Sequence, residues 1–537
     1  MKRRRLAGEF QEARLQYWAD EMIAGLPQEE FVFNDSKTYS GSAHVGSLRG
    51  PVIHDLLYRS ALDAGRRARF LYGNDDMDAL DAVPPGLSQE RYRPWLGKPL
   101  CEVPSPDGSP RSYARFFYDE FMGAQHKLGI WPEPYHMSEL YRSGRMNGVI
   151  RTLIEAADEL RAIYLEVSQS GREESWIPFS PVCENCGRIA MTRVHHFDGE
   201  RVHYRCLPNA MPYAPGCSHE SAVAPWDGAG KLPWKLEWAA RWQVLGVNFE
   251  GAGSDHSIAG GSRDVADAIS RRVFCAEPPA NLPYEFLLLE GGKMSSSKGI
   301  GLSAHEATEA LPAQQLRWLQ VRTRPRTAIN FNLGENAIPR LFDDFDVAGE
   351  RYRDDSAEGW QRRQFELAQV RRDPDVTSGY RPRFAHVVTI SQMPGVDAEA
   401  YFSQHKGAPL NAAERDELRE RIAYARIWLD RFAPAKARFE VQGRLPPEVK
   451  SLDAAQRQFL SSFARWYEGA RPADGESIHA AIMDLARREQ GGAGFAFRAL
   501  YRIFLGRSSG PRAGEFLAAL EPAFVWSRLK EAVAALD

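Results

Sequence analysis

At 537 residues the chain exceeds what one hydrophobic core supports and should divide into roughly two to four domains. Its 68 lysines and arginines against 71 aspartates and glutamates leave a formal charge of −3, which excludes capture of a polyanion by the overall field and requires a local basic surface for any nucleic acid. No apolar run reaches membrane-spanning length, no greasy stretch follows the basic start Met1-Lys2-Arg3-Arg4-Arg5, and six cysteines are too few for a disulfide framework, so a soluble chain of the reducing cytoplasm is expected, with no membrane partner.

Leu15, Trp18, Met22 and Leu26 fall at helical spacing, and Phe31-Val32-Phe33 forms a short apolar strand. The turn Thr38-Tyr39-Ser40-Gly41-Ser42-Ala43-His44-Val45-Gly46-Ser47 follows. Leu48, Val52, Ile53, Leu56, Leu57 and Ala61 then make a helix-period stripe ending at Gly65, and Ala68 to Tyr72 is strand-like, which completes a βαβ unit. Pro51 admits two readings: a distorted first turn near Gly46, or a regular helix with Pro51 at its first position.

From about Pro84 to Asp227 the pattern is mixed and turn-rich, as expected of an insertion. Trp234 to Leu245 predicts a helix stopped by Gly246, then a strand Val247-Asn248-Phe249, a Gly- and Ser-rich loop from Gly253 to Gly261, a helix from about Ser262 to Phe274, and an apolar strand from Tyr284 to Leu289. The two α/β halves predict one parallel sheet split by the insertion. Beyond Phe331 strands become scarce, and Leu418, Ile422, Ala425, Leu429 and Phe432 follow helical spacing, so the C-terminal part should be all-helical, connected through the polar stretch from about Tyr352 to Pro382.

A triphosphate needs donors that approach without side-chain obstruction, and Gly41 and Gly46 flank His44 where a strand ends and a helix begins. Far downstream, Lys293-Met294-Ser295-Ser296-Ser297-Lys298-Gly299 follows an apolar strand. Its ammonium groups and hydroxyls suit the charge that develops on pyrophosphate when a carboxylate attacks the α-phosphorus. Singly, the first segment reads as a solvated turn and the second as a polar hairpin loop. Together they read as a clamp for ATP, and as ATP-dependent adenylate formation.

Cys183-Glu184-Asn185-Cys186, with Cys206 and Cys217, offers four soft ligands in two arms for tetrahedral, structural Zn²⁺, with His203 or His219 as alternative ligands. Asp75, Asp76 and Asp78 after one strand, and Asp255-His256 after another, occupy crevice positions of an open parallel sheet. A substrate bearing an ammonium group would be held there by such carboxylates and by the faces of Trp234 and Tyr284. The plain alternatives are helix caps for the aspartates and core packing for the aromatics.

His44-Val45-Gly46-Ser47 and Lys293 to Lys298 on a split α/β fold resemble the signature pair of class I aminoacyl-tRNA synthetases. Gly46-Ser47-Leu48-Arg49-Gly50, Asn74 to Asp78, Pro233 to Trp238, Ser254-Asp255-His256 with Gly260-Gly261-Ser262, and Phe497-Arg498-Ala499-Leu500-Tyr501 extend the similarity to the class I lysyl group, over essentially the whole chain. The resemblance implies a Rossmann-type catalytic domain in two halves, residues 1–83 and 228–310, and a zinc-bearing insertion at 84–227. It further implies a stem-contact region at 311–365 and an α-helix cage at 366–537 that reads the anticodon. It implies a lysine pocket of Thr38, Trp234, His256 and Tyr284, to which the crevice reading adds Asp75 and Asp255, and an ATP site of His44, Ser47, Lys293 and Lys298, to which the two segments themselves add Gly41, Gly46, Met294, Ser295 and Ser296. Of these, His44, Lys293 and Lys298 would be catalytic. Ser36 stands where the family often has glycine, and Ser296 takes the second lysine position of the general loop, so Lys298 would supply that charge.

The reaction implied is formation of lysyl-adenylate from L-lysine and ATP, with Mg²⁺ on the phosphates, then transfer to the terminal ribose of tRNA-Lys, by a monomer. A glutamyl enzyme of the same architecture would want arginine where this crevice carries aspartates, and an arginyl enzyme is the subtler alternative. A nucleotidyltransferase acting without tRNA would leave the large helical C-terminal part unexplained. A catalytically dead RNA-binding paralogue would not need both catalytic segments, and both look intact.

Overall fold

The computed structural model describes residues 17–292, 294, 301–334, 337–371, 379–470, 472, 474–489 and 492–535. The chain forms two compact units: residues 1–331 with 354–374, and residues 332–353 with 375–537.

The first unit opens with helix α1 (Trp18–Ala24) and strand β1 (Glu30–Lys37). A 3₁₀ turn at Val45–Leu48 then runs into helix α2 (Arg49–Asp63). Of the two readings of Pro51, the distorted first turn is the one realised: Pro51 is the third residue of α2, where a backbone N–H would lack an intrahelical acceptor in any case. The helix stops as the sequence predicts. Gly65 takes φ +78°, its N–H donates to Leu62 (3.0 Å), and that of Arg66 reaches back to Ala61 (2.9 Å). Strand β2 (Arg67–Asn74) lies parallel to β1 along its whole length, from Glu30 beside Arg67 to Lys37 beside Asn74.

A second crossover, helix α3 (Tyr113–Lys127), leads to strand β3 (Glu133–His136), parallel to β2. This segment falls within the stretch read as insertion. A four-residue edge strand reading Glu-Pro-Tyr-His carries neither alternation nor an apolar run, so it left no signal. The stretch goes on through helices at Asn147–Glu155 and Ala157–Ser168 to a separate antiparallel sheet of β4 (Thr192–Phe197), β5 (Val202–Cys206) and β6 (Glu220–Val223).

After helix α4 (Trp234–Leu245) the expected strand Val247 to Phe249 shrinks to parallel bridges from Phe249 to Phe33 and to Ala280. The side-chain amide of Asn248 takes over the ladder, accepting from the N–H of Val32 (2.9 Å) and donating to the carbonyl of Glu30 (2.8 Å). Strand β7 (Ala252–Gly253) pairs in parallel with β8 (Pro283–Tyr284), across helix α5 (Ser262–Arg272). The single strand expected from Tyr284 to Leu289 is broken in two. The N–H of Glu285 donates to Pro325 (2.9 Å), and the chain resumes as β9 (Leu287–Leu289) against β10 (Ile329–Phe331).

The polar stretch expected to connect the domains contains helix Gly359–Ala368, which belongs to the first unit. Arg363, buried, donates to Asp20 (2.9 and 3.0 Å) and pairs with Asp63 (2.9 Å), while buried Arg317 donates to the carbonyl of Leu367 (3.0 and 2.8 Å). Residues 372–378 lie outside the described residues.

Among the described residues every regular element of the second unit is helical, as the spacing of Leu418, Ala425 and Leu429 predicts; all three are buried on one face of Ala412–Arg431. Arg421 on that helix makes a bidentate pair with Asp346 (2.8 and 2.7 Å), and Phe342 stacks on Phe384 with ring centroids 3.9 Å apart. No helix among the described residues is long and apolar enough to cross a membrane.

Candidate active site

The turn around His44 is tied to the chain just beyond the lysine-rich loop. His44 bridges Ser303, the N–H of Val45 donates to Leu302 (2.8 Å), and that of Ala304 donates to Ala43 (2.7 Å). The near side of the loop arrives at the same place. A β-carbon on Gly46 would stand 3.0 Å from Met294 Cε, 2.9 Å from His44 Nδ1 and 2.9 Å from the carbonyl of Leu287, so only glycine fits. Met294 is buried there. Lys293, Ser295, Ser296 and Lys298 lie outside the described residues. Gly41 is buried in the same turn, and His44, Gly46 and Ser47 are half-buried.

Parallel strand ends open a crevice beside this turn. At the ends of β1 and β2 the hydroxyl of Thr38 donates to Asp78, and Asp75 accepts from Ser36 Oγ (3.0 Å) and from the guanidinium of Arg241 (2.7 Å). Asp78 also pairs with Lys231, whose ammonium reaches Glu237 at 3.1 Å, and Tyr141 donates to Glu237 at 2.6 Å. Burial works against the Lys231 charge, yet Asp78 and Glu237 hold its pKa above the usual lysine range. Burial also pushes Glu237 up to about 7. The aspartates that the sequence offers as a free anionic wall therefore come with their own cations, Arg241 and Lys231, both buried. Asp76 points away into the core and accepts from Ser138 N (2.7 Å) and Oγ (2.6 Å).

The aromatic side of the crevice is built on α4. Trp234 lies edge-on to His256 with ring centroids 5.8 Å apart, and Trp238 meets the same imidazole at 5.9 Å. The Asp255 carboxylate lies over Gly253, where a β-carbon would be 2.8 Å from its Oδ1. Tyr284, at the end of β8, brings its hydroxyl to within 2.7 Å of where a β-carbon on Gly50 would stand, and Asp35 crowds the same glycine. Burial, with Glu250 adding to it, raises the Asp35 carboxyl to about 8; burial lowers His54, 3.8 Å away, to about 4.

Sequence reading missed Asp35, Lys231, Glu237, Trp238 and Arg241. The last three sit on α4 three, four and seven residues after Trp234, and Glu237 and Arg241, charged residues on the helix face that carries Trp234 and Trp238, were the available signal.

The four cysteines converge. Their Sγ atoms all lie within 4.8 Å of one another, with Cys183 to Cys217 at 3.6 Å and Cys186 to Cys206 at 3.7 Å. Tetrahedral Zn²⁺ with bonds of about 2.3 Å requires sulfurs about 3.8 Å apart, so the donor set fits that ion. Cys183 and Cys186 flank a tight turn closed by the N–H of Gly187 on the carbonyl of Cys183 (2.8 Å), Cys206 ends β5, and the N–H of Cys217 donates to Cys206 Sγ (3.4 Å). His203 is engaged instead with Asp198 (2.7 Å), and among the described residues the group consists of the four cysteines.

The sequence pattern of tRNA synthetases class I (K) matches residues 16–371. The chain is 34% identical to a lysine–tRNA ligase of Archaeoglobus fulgidus, covering 96% of this chain and 100% of that one. It is 35% identical to lysine–tRNA ligase 1 of Methanosarcina acetivorans (96% and 98% covered) and 32% identical to a lysine–tRNA ligase of Thermoplasma acidophilum (96% and 99%). A solved glutamate–tRNA ligase from Elizabethkingia meningosepticum is similar at 13% identity and a TM-score of 0.42, covering 94% of this chain and 100% of that one.

Proposed function

The chain belongs to the class I (K) tRNA synthetases, and from that membership we infer that it activates L-lysine with ATP and transfers it to tRNA-Lys. The observation that carries this reading is the docking of Met294, at the start of the lysine-rich loop, and Leu302, just beyond its end, against the His44 to Gly46 turn beside the crevice of Thr38, Trp234, His256 and Tyr284.

In the first step a carboxylate oxygen of lysine attacks the α-phosphorus of ATP in line, forming the acyl–phosphate bond of lysyl-adenylate while the bond to pyrophosphate breaks. His44, Lys293 and Lys298 hold and neutralise the phosphates, and the backbone at Gly41, Gly46 and Ser47 lets them approach. Met294, Ser295 and Ser296 complete the loop, and Mg²⁺ enters with ATP as part of the substrate. Thr38, Asp75 and Asp255 supply polar contacts to the amino acid, and Trp234, His256 and Tyr284 wall in its chain. In the second step the 2′-hydroxyl of the terminal adenosine attacks the acyl carbon, AMP leaves, and the hydroxyl proton is released. No protein nucleophile is needed. Cys183, Cys186, Cys206 and Cys217 would hold Zn²⁺ and stiffen the sheet β4 to β6.

Residues 311–365 are assigned to the tRNA stem, and the helical unit to the anticodon. In support, that unit has a cavity of about 1180 Å³ walled by Tyr401, Tyr467 and Trp526, with Glu468, Glu476 and Glu515 at its polar side. Aromatic faces stack unpaired bases, and carboxylates accept from base N–H groups while repelling phosphate. The reading places the enzyme in the cytoplasm as a monomer.

Charging of unfractionated tRNA with single radiolabelled amino acids tests it. Acid-precipitable lysine, with no other amino acid incorporated, is expected; incorporation of another amino acid in its place overturns the substrate.

A further inference from the structure

Strand β1 ends on Lys37, the residue before the turn that carries Thr38, Gly41 and His44. Alternation along the strand sends its side chain to the face of Phe33 and Asp35, and Asp35 lies over Gly50 at the start of α2. Lys37 therefore emerges on the side of the sheet where His44 and Gly46 begin that helix, not on the side where Ser36 reaches Asp75 and Tyr135 reaches Asn34.

The Lys37 side chain is half-buried, and its ammonium makes no hydrogen bond or ion pair with any described residue. The carboxylates whose charge it feels, Asp35 and Asp75, are taken by other donors. Asp35 accepts from the N–H of Ser36 (2.8 Å), and Asp75 from Ser36 Oγ and Arg241. Burial lowers its pKa, and the two aspartates oppose that without cancelling it. A desolvated ammonium without a contacting anion, one residue before Thr38 of the crevice and on the sheet face of the phosphate turn, is matched to an anion that arrives with the substrates.

We propose that Lys37 is a catalytic residue that binds the α-carboxylate of the amino acid and holds it for attack on the α-phosphorus. This rests on the lysine-activating reading above and adds a residue to it. The carboxylate is the nucleophile and must approach an anionic phosphate. An ammonium beside both lowers that repulsion and fixes which oxygen faces phosphorus. The cost of placing a cation in a site for a cationic amino acid is offset by Asp75, and by Asp35 where it is ionised, the two carboxylates whose charge favours the Lys37 ammonium.

Calorimetric titration of the full chain with L-lysine and with lysinamide, whose carboxylate is replaced by an uncharged amide, separates this role from a structural one. Lys37→Met should weaken lysine binding about 10- to 100-fold, the usual range for losing a hydrogen bond to a charged group, and leave lysinamide within about twofold. Lys37→Arg should restore most of the difference and a measurable part of lysine-dependent pyrophosphate exchange. Equal losses for lysine and lysinamide, or no loss for lysine, would overturn the assignment while leaving the substrate reading standing. Failure of the wild-type chain to bind lysine would instead refute the substrate reading, and this proposal with it.

Discussion

Gly46 and Met294 meet face to face: the space where a β-carbon would grow on Gly46 is bounded by Met294 Cε, the His44 ring and the carbonyl of Leu287. The contact sets the spacing between the phosphate turn and the loop that must close over the same triphosphate. Gly46→Ala should cost about 1 to 3 kcal/mol in unfolding free energy by overpacking against the Leu287 carbonyl, and cut lysine-dependent pyrophosphate exchange of the folded protein by about 100-fold, as displacements near 1 Å do in sites that act by positioning. Exchange within about threefold of wild type would detach Gly46 from the chemistry.

Arg241 holds the carboxylate floor together, reaching Asp75 at 2.7 Å and Glu250 at 3.6 Å from a buried position. Replacing it with methionine strands half-buried Asp75 and buried Glu250 and should cost about 3 to 5 kcal/mol in denaturant unfolding. Adding Asp75→Asn to that variant should recover part of the loss, because one stranded charge is gone. Strict additivity of the two substitutions would show that the pair is not coupled.

Asp35 and His54 make the catalytic unit respond to pH in opposite senses. Asp35 is raised from 3.8 to about 8 by burial and by Glu250, so its contribution to stability is complete below pH 3.8 and is lost as pH rises toward 8. His54 is lowered from 6.5 to about 4 by burial, so its contribution is complete above pH 6.5 and is lost as pH falls toward 4. The stability of Asp35→Asn relative to wild type should therefore increase steadily across the Asp35 window, read as the difference in melting temperature. A difference that does not change with pH would place the Asp35 carboxyl in its ordinary range.

For the cysteine group, protein purified without chelator should carry one zinc per chain, and Cys183→Ser should lose it. Hydrogen exchange over β4 to β6 should rise in that variant and stay unchanged across β1 to β3. Zinc-free wild-type protein with a protected β4 to β6 sheet would show that four packed thiols suffice.

The helix at Gly359–Ala368 changes where the catalytic unit ends. A chain stopped at Phe345 loses Arg363 and its pairs with Asp20 and Asp63, whereas one stopped at Arg371 keeps them. The longer truncation should retain lysine-dependent pyrophosphate exchange and lose tRNA charging; the shorter should lose both. Equal exchange in the two would remove that helix from the catalytic unit.

Residues that declare themselves by type and local spacing were legible in the sequence: the Gly65 helix stop, the four cysteines, and the turn around His44 beside its strand and helix. Edge strand β3 was not, because Pro134 and Glu133 hide a strand whose pairing depends on β2. The break after Tyr284 was not, since it depends on a carbonyl at Pro325. The crevice aspartates could be found, but not their state. Whether Asp75 is free or paired depends on Arg241, far along the chain, which only the packing of α4 brings there.

ATP–pyrophosphate exchange, run with the full chain and lysine, arginine or glutamate in turn, tests the central claim most directly. The account predicts exchange stimulated by lysine at least about 100-fold more than by either competitor, the discrimination expected of a site built around specific polar contacts. Stimulation by arginine or glutamate but not by lysine would contradict it.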